Sequence, residues 1–235
     1  MNVPTAPLPV GIWHILPTLP VIVQQSDTPG PTAIIQGGIH GNEVAGVHAI
    51  EELLEESITP SRGRVLWIPR MNPAACRALS RMAPGGLDLN RRFPGDRNSA
   101  HLEDRIAHAL FQLVLVEKPA LVATLHESDK RYHPDVHPSF GQTLVYGVQP
   151  CPPLFQRVVT RLNKRLHDEQ ERWATHHFPV ATSSTEQIVE ATGCLGTCVE
   201  TWITLSLRRR VDMHKDVIRL LLDELNILSF PGASS

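Results

Sequence analysis

An α/β fold with a mostly parallel central sheet is what this sequence predicts, and three observations predict it. Short apolar runs alternate with amphipathic segments along most of the chain. The first strong apolar run ends in glycines and the second is closed by Pro69, as strands leading into turns do. The 235 residues hold no internal repeat, low-complexity run or clear interdomain linker. A single domain over residues 1–235 is expected, with an N-terminal arm over about 1–30.

Thr32 to Ile39 (TAIIQGGI) reads as a buried strand. Asn42 to Glu56 follows as a helix, because Val44, Val47, Ile50 and Leu54 recur at helical spacing. Arg64 to Ile68 (RVLWI) is a second strand. His101 to Lys118 is a helix with Leu102, Ile106, Ala109, Leu110 and Leu113 on one side, stopped by Pro119. Ala120 to Leu125 and Thr143 to Tyr146 are further strands. Pro152 to Trp173 reads as one long helix opened by two prolines, with Phe155, Val159, Leu162 and Leu166 inward. Thr197 to Thr201 is another strand, and Val211 to Asn226 the closing helix.

Composition narrows the function. With 42% hydrophobic residues the chain can bury a sizeable core, and a formal net charge of -2 gives no reason to expect nucleic acid or a membrane surface as partner. The first twenty residues are broken by prolines, have no basic start and lack a continuous apolar stretch, so neither a signal peptide nor a membrane span is expected, and the cytoplasm is the expected compartment. Cys76, Cys151, Cys194 and Cys198 form no CxxC pair and read as free thiols; Cys194 and Cys198 lack the second sulfur pair of a structural zinc site. Twelve histidines raise the prospect of metal chemistry and lower the meaning of any single one.

Three distant segments carry residues from which a hydrolytic zinc site could be built. GGIHGNE offers His40 and Glu43, ATLHES offers His126, and CVETW offers Glu200. Two imidazoles and a carboxylate are a common ligand set for catalytic zinc, with a position left for water. Each candidate falls at or near the end of a predicted strand, the rim where open α/β sheets gather ligands. A fourth segment, LDLNRRFPG, adds Asn90 and Arg91, suited to holding an anion. His126-Glu127 does not begin an HExxH helix, because position 130 is Lys. Glu127 is expected to be a hydrogen-bonding partner instead. His133 and His137 stand beside Pro134 and Pro138 and read as a loop next to the site; His48 and His108 lie on helices and read as structural or exposed. Ser128 has no GxSxG setting.

Taken in order, HGNE, NPAA, LDLNRRFPG, LHES and VET resemble the zinc carboxypeptidase superfamily. The resemblance is to its succinylglutamate desuccinylase/aspartoacylase branch and to short bacterial murein-peptide carboxypeptidases or amidases, over approximately Thr32 to Leu225. It implies a mixed, mainly parallel sheet of about eight strands sandwiched by helices. It implies one Zn2+ ion on His40, Glu43 and His126, with Glu200 as the general base that takes a proton from metal-activated water and passes it to the leaving amine. Arg81 resembles the arginine that polarises the scissile carbonyl, although Arg77 is close by and the loop before Asp88 varies in length across the family. Asn90 and Arg91 resemble the pair that grips the substrate carboxylate. The substrate-capping tyrosine has no assigned match, since only Tyr132 and Tyr146 exist.

One departure concerns access. Aspartoacylase-like members commonly carry a β-rich C-terminal domain, whereas the stretch after Glu200 reads mostly as one helix. A more open cleft or a covering subunit is therefore expected, which favours a peptide-like substrate. The implied activity is zinc-dependent hydrolysis of an amide near a substrate carboxylate, on a small peptide or an N-acyl amino acid. The alternative is a non-catalytic zinc-binding module that keeps the fold and its pocket.

Overall fold

The sheet runs through the middle of the molecule in the computed structural model, which describes residues 4–228. Its eight strands are β1 (Gly11–Leu16), β2 (Leu19–Gln25), β3 (Thr32–Gln36), β4 (Arg64–Ile68), β5 (Leu121–Ser128), β6 (Thr143–Tyr146), β7 (Ala174–His177) and β8 (Leu195–Trp202). Their spatial order is β1-β2-β4-β3-β5-β8-β6-β7. The inner strands β4, β3, β5 and β8 are mutually parallel, β6 runs antiparallel to β8, and the β1–β2 ribbon meets β4 antiparallel. The sheet is thus mixed, with a parallel centre.

Helices cover both faces. On one side lie α1 (Val44–Glu55), α4 (Pro153–Asn163) and α6 (Leu207–Glu224), packed through Leu53, Phe155 and Leu221 on Ile35, Trp67 and Leu125 of the strands. On the other, α3 (Leu102–Glu117) and α5 (Ser184–Thr192) pack through Ile106, Leu110 and Ile188 on Ile34, Leu66 and Val122. The short α2 (Pro73–Ala78) closes the end of β4. All eight residues of β5 are buried, because both faces of this central strand are covered. Side chains alternate across it: Thr124 and His126 look toward the α5 side, while Leu125 and Glu127 look toward α1 and α6.

Three expectations need correction. The N-terminal arm is in large part a β-ribbon: Leu19, Val21 and Val23 of β2 are buried and only alternate neighbours look outward. Residues 1–3 of that arm, and everything after 228, lie outside the described residues. The long helix expected over Pro152 to Trp173 stops at Asn163. The Asn163 side chain brackets the backbone of Trp173, accepting from its N–H and donating to its carbonyl, both at 2.9 Å, so the chain doubles back into β7. The third is an omission. Helix α5 went unread, although Ser183 caps it and Gly193 ends it in the left-handed conformation, the two punctuation marks of a helix. Among the described residues no helix is long and apolar enough to cross a membrane.

Helix α1 approaches β5 closely at Gly46, where a Cβ would stand 2.5 Å from Leu125 Cβ. Gly→Ala inside a helix is ordinarily worth up to about 1 kcal/mol of stabilisation. Here the added methyl meets the base of a side chain fixed to a central strand, so overpacking wins. Gly46→Ala should destabilise by about 1–3 kcal/mol in urea unfolding; a variant as stable as the parent would show that α1 can step away from β5 without cost.

Candidate active site

His40 and Glu43 stand in the loop between β3 and α1, which α2 and its flanks hold by backbone bonds. Met71 N–H donates to Gly37 O, Asn72 N–H to Gly38 O, and Gly41 N–H to Ser80 O, each at 2.9 Å. Glu43 occupies the N-cap position of α1, yet its side chain caps nothing. The capping bond comes from the neighbouring strand: Glu127 Oε2 accepts from Ala45 N–H at 3.0 Å. Glu127 also pairs with Arg210 of α6, which balances its buried charge. It is therefore a hydrogen-bonding partner and not a member of the metal-type cluster, as expected.

Freed from capping, Glu43 faces the two histidines. His40 Nδ1 lies 2.6 Å from Glu43 Oε1, and His126 Nδ1 lies 2.8 Å from Glu43 Oε2. One candidate ligand atom from each residue falls within 4.8 Å of the others, and all three residues are buried. Burial alone would raise the Glu43 carboxyl, but His126 and His40 outweigh it and hold it at about 2. Burial would lower His126, yet Glu43 beside it raises that histidine well above its usual value. Positive charge, whether a proton or a metal ion, is what this cluster favours. The two-histidine, one-carboxylate donor set fits zinc. The far nitrogen of His40, Nε2, sits 3.3 Å from Asp88 Oδ1, the carboxylate backing that metal-binding histidines usually have. His126 Nε2 is buried without a hydrogen-bond partner among the described residues.

Glu200 lies on β8 directly opposite His126 on β5, in parallel register. It is partly exposed, lines the cavity and, among the described residues, takes part in no side-chain hydrogen bond. Burial pushes it up to about 7; His126 pulls it down and Glu43 pushes it further up. A divalent cation in the neighbouring cluster would favour its ionised form. Beneath the cluster, buried polar side chains form a connected floor: Gln36 Nε2 donates to Thr124 Oγ1 at 2.8 Å and Ser184 Oγ at 3.1 Å, and Thr185 Oγ1 lies 3.2 Å from Cys198 Sγ.

The remaining candidates surround the same cavity of about 340 Å³. Arg81 donates to Asp88 Oδ2 from Nε and Nη2 at 3.1 and 2.9 Å, and its Nη1 comes within 3.4 Å of His40 Nδ1. Arg77 is exposed on α2 and does not line the cavity. Asn90 is buried, its Oδ1 accepting from Ser184 N–H at 3.0 Å. Arg91 lines the cavity and is exposed. Tyr146 lines the wall, whereas Tyr132 packs against His176 with ring centroids 4.8 Å apart. The His133 to His137 loop is exposed, with His137 stacked on His176. Asp88 was missed as a site residue. Burial would raise its carboxyl, but bonds from His40 and Arg81 hold it well below the usual carboxylate range. Its signal was local: Asp88 caps the 3-10 turn Leu89–Arg91, with Oδ1 accepting from Asn90 N–H at 3.0 Å.

Known proteins resemble this chain in sequence and in fold. A family model described as the Succinylglutamate desuccinylase/Aspartoacylase catalytic domain matches residues 29–137, the stretch that holds His40, Glu43, Arg81, Asn90, Arg91 and His126. The chain is 39% identical over 103 residues to the N-alpha-acetyl-L-2,4-diaminobutyric acid deacetylase of Halomonas elongata, covering 43% of this chain and 30% of that protein. The product-bound Cell Shape Determinant protein Csd4 from Helicobacter pylori superposes with a TM-score of 0.79 at 18% identity, over 89% of this chain and 56% of that one. A succinylglutamate desuccinylase/aspartoacylase from Rhodobacter sphaeroides gives 0.69 at 22% identity, over 90% of this chain and 60% of that one. The resemblance to this branch therefore stands, and the fold is shared. The chain spans less than two thirds of each of these proteins' lengths.

The Glu127–Arg210 pair gives a direct test of how the cluster is supported. Replacing Arg210 with Met leaves a buried carboxylate uncompensated, which typically costs about 3–5 kcal/mol. Urea unfolding of Arg210→Met should show a loss of that order; a loss below about 1 kcal/mol would mean that the pair carries little of the local stability.

Proposed function

We propose that this chain is a zinc-dependent hydrolase that cleaves an amide bond beside a substrate carboxylate. The observation that carries this is the convergence of His40, Glu43 and His126 on one point, with the Glu200 carboxylate on the adjacent strand and free of side-chain hydrogen bonds among the described residues. Zinc held by the three residues would supply a Lewis acid that polarises the scissile carbonyl and lowers the pKa of the attacking water. Glu200 accepts the proton of that water and then delivers it to the departing nitrogen. Arg81, held in place by Asp88, donates to the carbonyl oxygen as negative charge develops there. Asn90 and Arg91 receive the substrate carboxylate. Asn90 is positioned by Ser184, and Arg91 offers a planar guanidinium on the open side of the cavity.

The substrate class we assign is an acylated amino acid or a short peptide with a free carboxylate. The Halomonas relative's name gives a deacetylase of an N-acetyl amino acid, and Csd4 is described as a D,L-carboxypeptidase, with tripeptide-bound and mDAP-bound forms. Both kinds of reaction would use the constellation described here.

Three measurements test the parts separately. His40→Ala and His126→Ala should lose zinc on equilibrium dialysis with metal analysis, and Asp88→Asn should bind it about 10- to 100-fold more weakly; full occupancy in both alanine variants would remove the cluster as the metal site. Glu200→Gln should keep fold and zinc while kcat falls about 100- to 10,000-fold. Near-normal turnover by that variant would take Glu200 out of the mechanism. Because Arg91 is solvent-screened, its contribution belongs at the low end for a charged hydrogen bond, about 1.5 kcal/mol. Amidating the substrate carboxylate should therefore lower kcat/KM by about tenfold, and Arg91→Ala should show that loss on the acid and little further loss on the amide. Equal cleavage of acid and amide by the parent enzyme would refute the carboxylate grip.

A further inference from the structure

The first turn of α5 reads as a capping box, Ser183-x-x-Glu186, in which each side chain should satisfy the other residue's backbone N–H. Only half of that box forms. Ser183 Oγ accepts from Glu186 N–H at 3.2 Å, but Ser183 N–H donates to Val180 O at 2.8 Å. The Glu186 side chain is thereby released from capping, and it lines the active-site cavity instead. It is half-buried, and among the described residues it takes part in no ion pair and no side-chain hydrogen bond. Room for it comes from the facing wall: Gly147, just past β6, has no side chain, and a Cβ there would run into the Glu186 carboxylate.

A carboxylate on the cavity wall that no protein group occupies is a natural partner for a cationic group of the ligand. Its neighbours narrow this further. Asn90, assigned above to the substrate carboxylate, accepts from Ser184 N–H, and Ser184 is only two residues before Glu186 on the same helix. Glu186, Asn90 and Arg91 all line the one cavity. Of the other cavity-wall carboxylates without a side-chain partner among the described residues, Glu200 is the candidate base and Asp129 is exposed.

We propose that Glu186 is the specificity-determining residue of this site and binds the ammonium end of the substrate residue whose carboxylate Asn90 and Arg91 hold. The preferred substrates are then acyl or peptidyl derivatives of diamino acids, charged at both ends of that residue. This deepens the hydrolase proposal and rests on it.

The test compares N-acetyl and dipeptide derivatives of ornithine and lysine with those of norvaline and norleucine, which match them in length without the amine. The parent enzyme should favour the amine-ended members by about tenfold or more in kcat/KM. In Glu186→Gln that ratio should collapse toward one, and Glu186→Asp should recover part of it. Calorimetric binding of free ornithine and norvaline, with thermal melts to confirm folding, gives a readout that needs no turnover and should show the same Glu186-dependent preference. Cleavage of both series without preference, or a ratio kept in Glu186→Gln, overturns this inference and leaves the hydrolase standing. Amine-dependent binding through Glu186 without cleavage of any member supports the ammonium site and refutes the hydrolase. Neither binding preference nor cleavage refutes both.

Discussion

The capping of α1 by Glu127 is the contact on which the rest of the site depends. A helix that begins where a catalytic loop ends leaves orphan N–H groups, and the residue at its N-cap is the natural one to satisfy them. Here that residue is Glu43, and a capping Glu43 would be turned away from the histidines. Glu127, reaching across from β5 and neutralised by Arg210, takes over the capping bond and lets Glu43 turn both oxygens to His40 and His126. One strand thereby contributes a cluster residue on one face and the support for its partner on the other. The alternation of side chains along β5 makes this possible, since His126 and Glu127 are adjacent in sequence and opposed in direction.

The legible and illegible parts of this molecule divide along physical lines. His40, Glu43 and His126 could be read because metal-type ligands at strand ends are unusual residue types in otherwise apolar surroundings. Their convergence follows from the parallel pairing of β3 with β5. The inner strands were legible for the same reason that they are central: they are apolar on both faces. The β1–β2 ribbon was hidden by Pro17 and Pro20, which suggest an irregular arm, although Pro20 sits near the start of its strand where a missing N–H is tolerated. Helix α4 was overdrawn because Leu166 and Trp173 continue its apolar content past Asn163, and the side-chain bracket that ends it is a tertiary event. Helix α5 was overlooked because TSSTEQIVEAT is apolar at few positions, and there the caps were the better signal.

Side chains that act through others were harder to foresee than those that could hold a metal. Asp88 belongs to a motif that was recognised, yet nothing in LDLNRRFPG says that its carboxylate reaches both His40 and Arg81. The same holds for the polar floor of Gln36, Thr124, Ser184 and Thr185, drawn from three separate elements. Such layers are readable only once strand order is known, because their members are neighbours across the sheet and not along the chain.

The order of the strands has a consequence for how the chain reaches this state. Among the described residues strand β8 is last in sequence, yet it lies between β5 and β6, and β6 pairs with β7 and β8 alone. Until β8 enters, the β6–β7 pair has no attachment to the rest of the sheet, and one edge of the apolar β5 is open. An uncovered apolar edge is a template for pairing with other chains, and sheets closed by such distant segments fold slowly. The strand that carries Glu200 is therefore also the one whose arrival joins the two parts of the sheet, and a chain stalled before that step would be prone to aggregate.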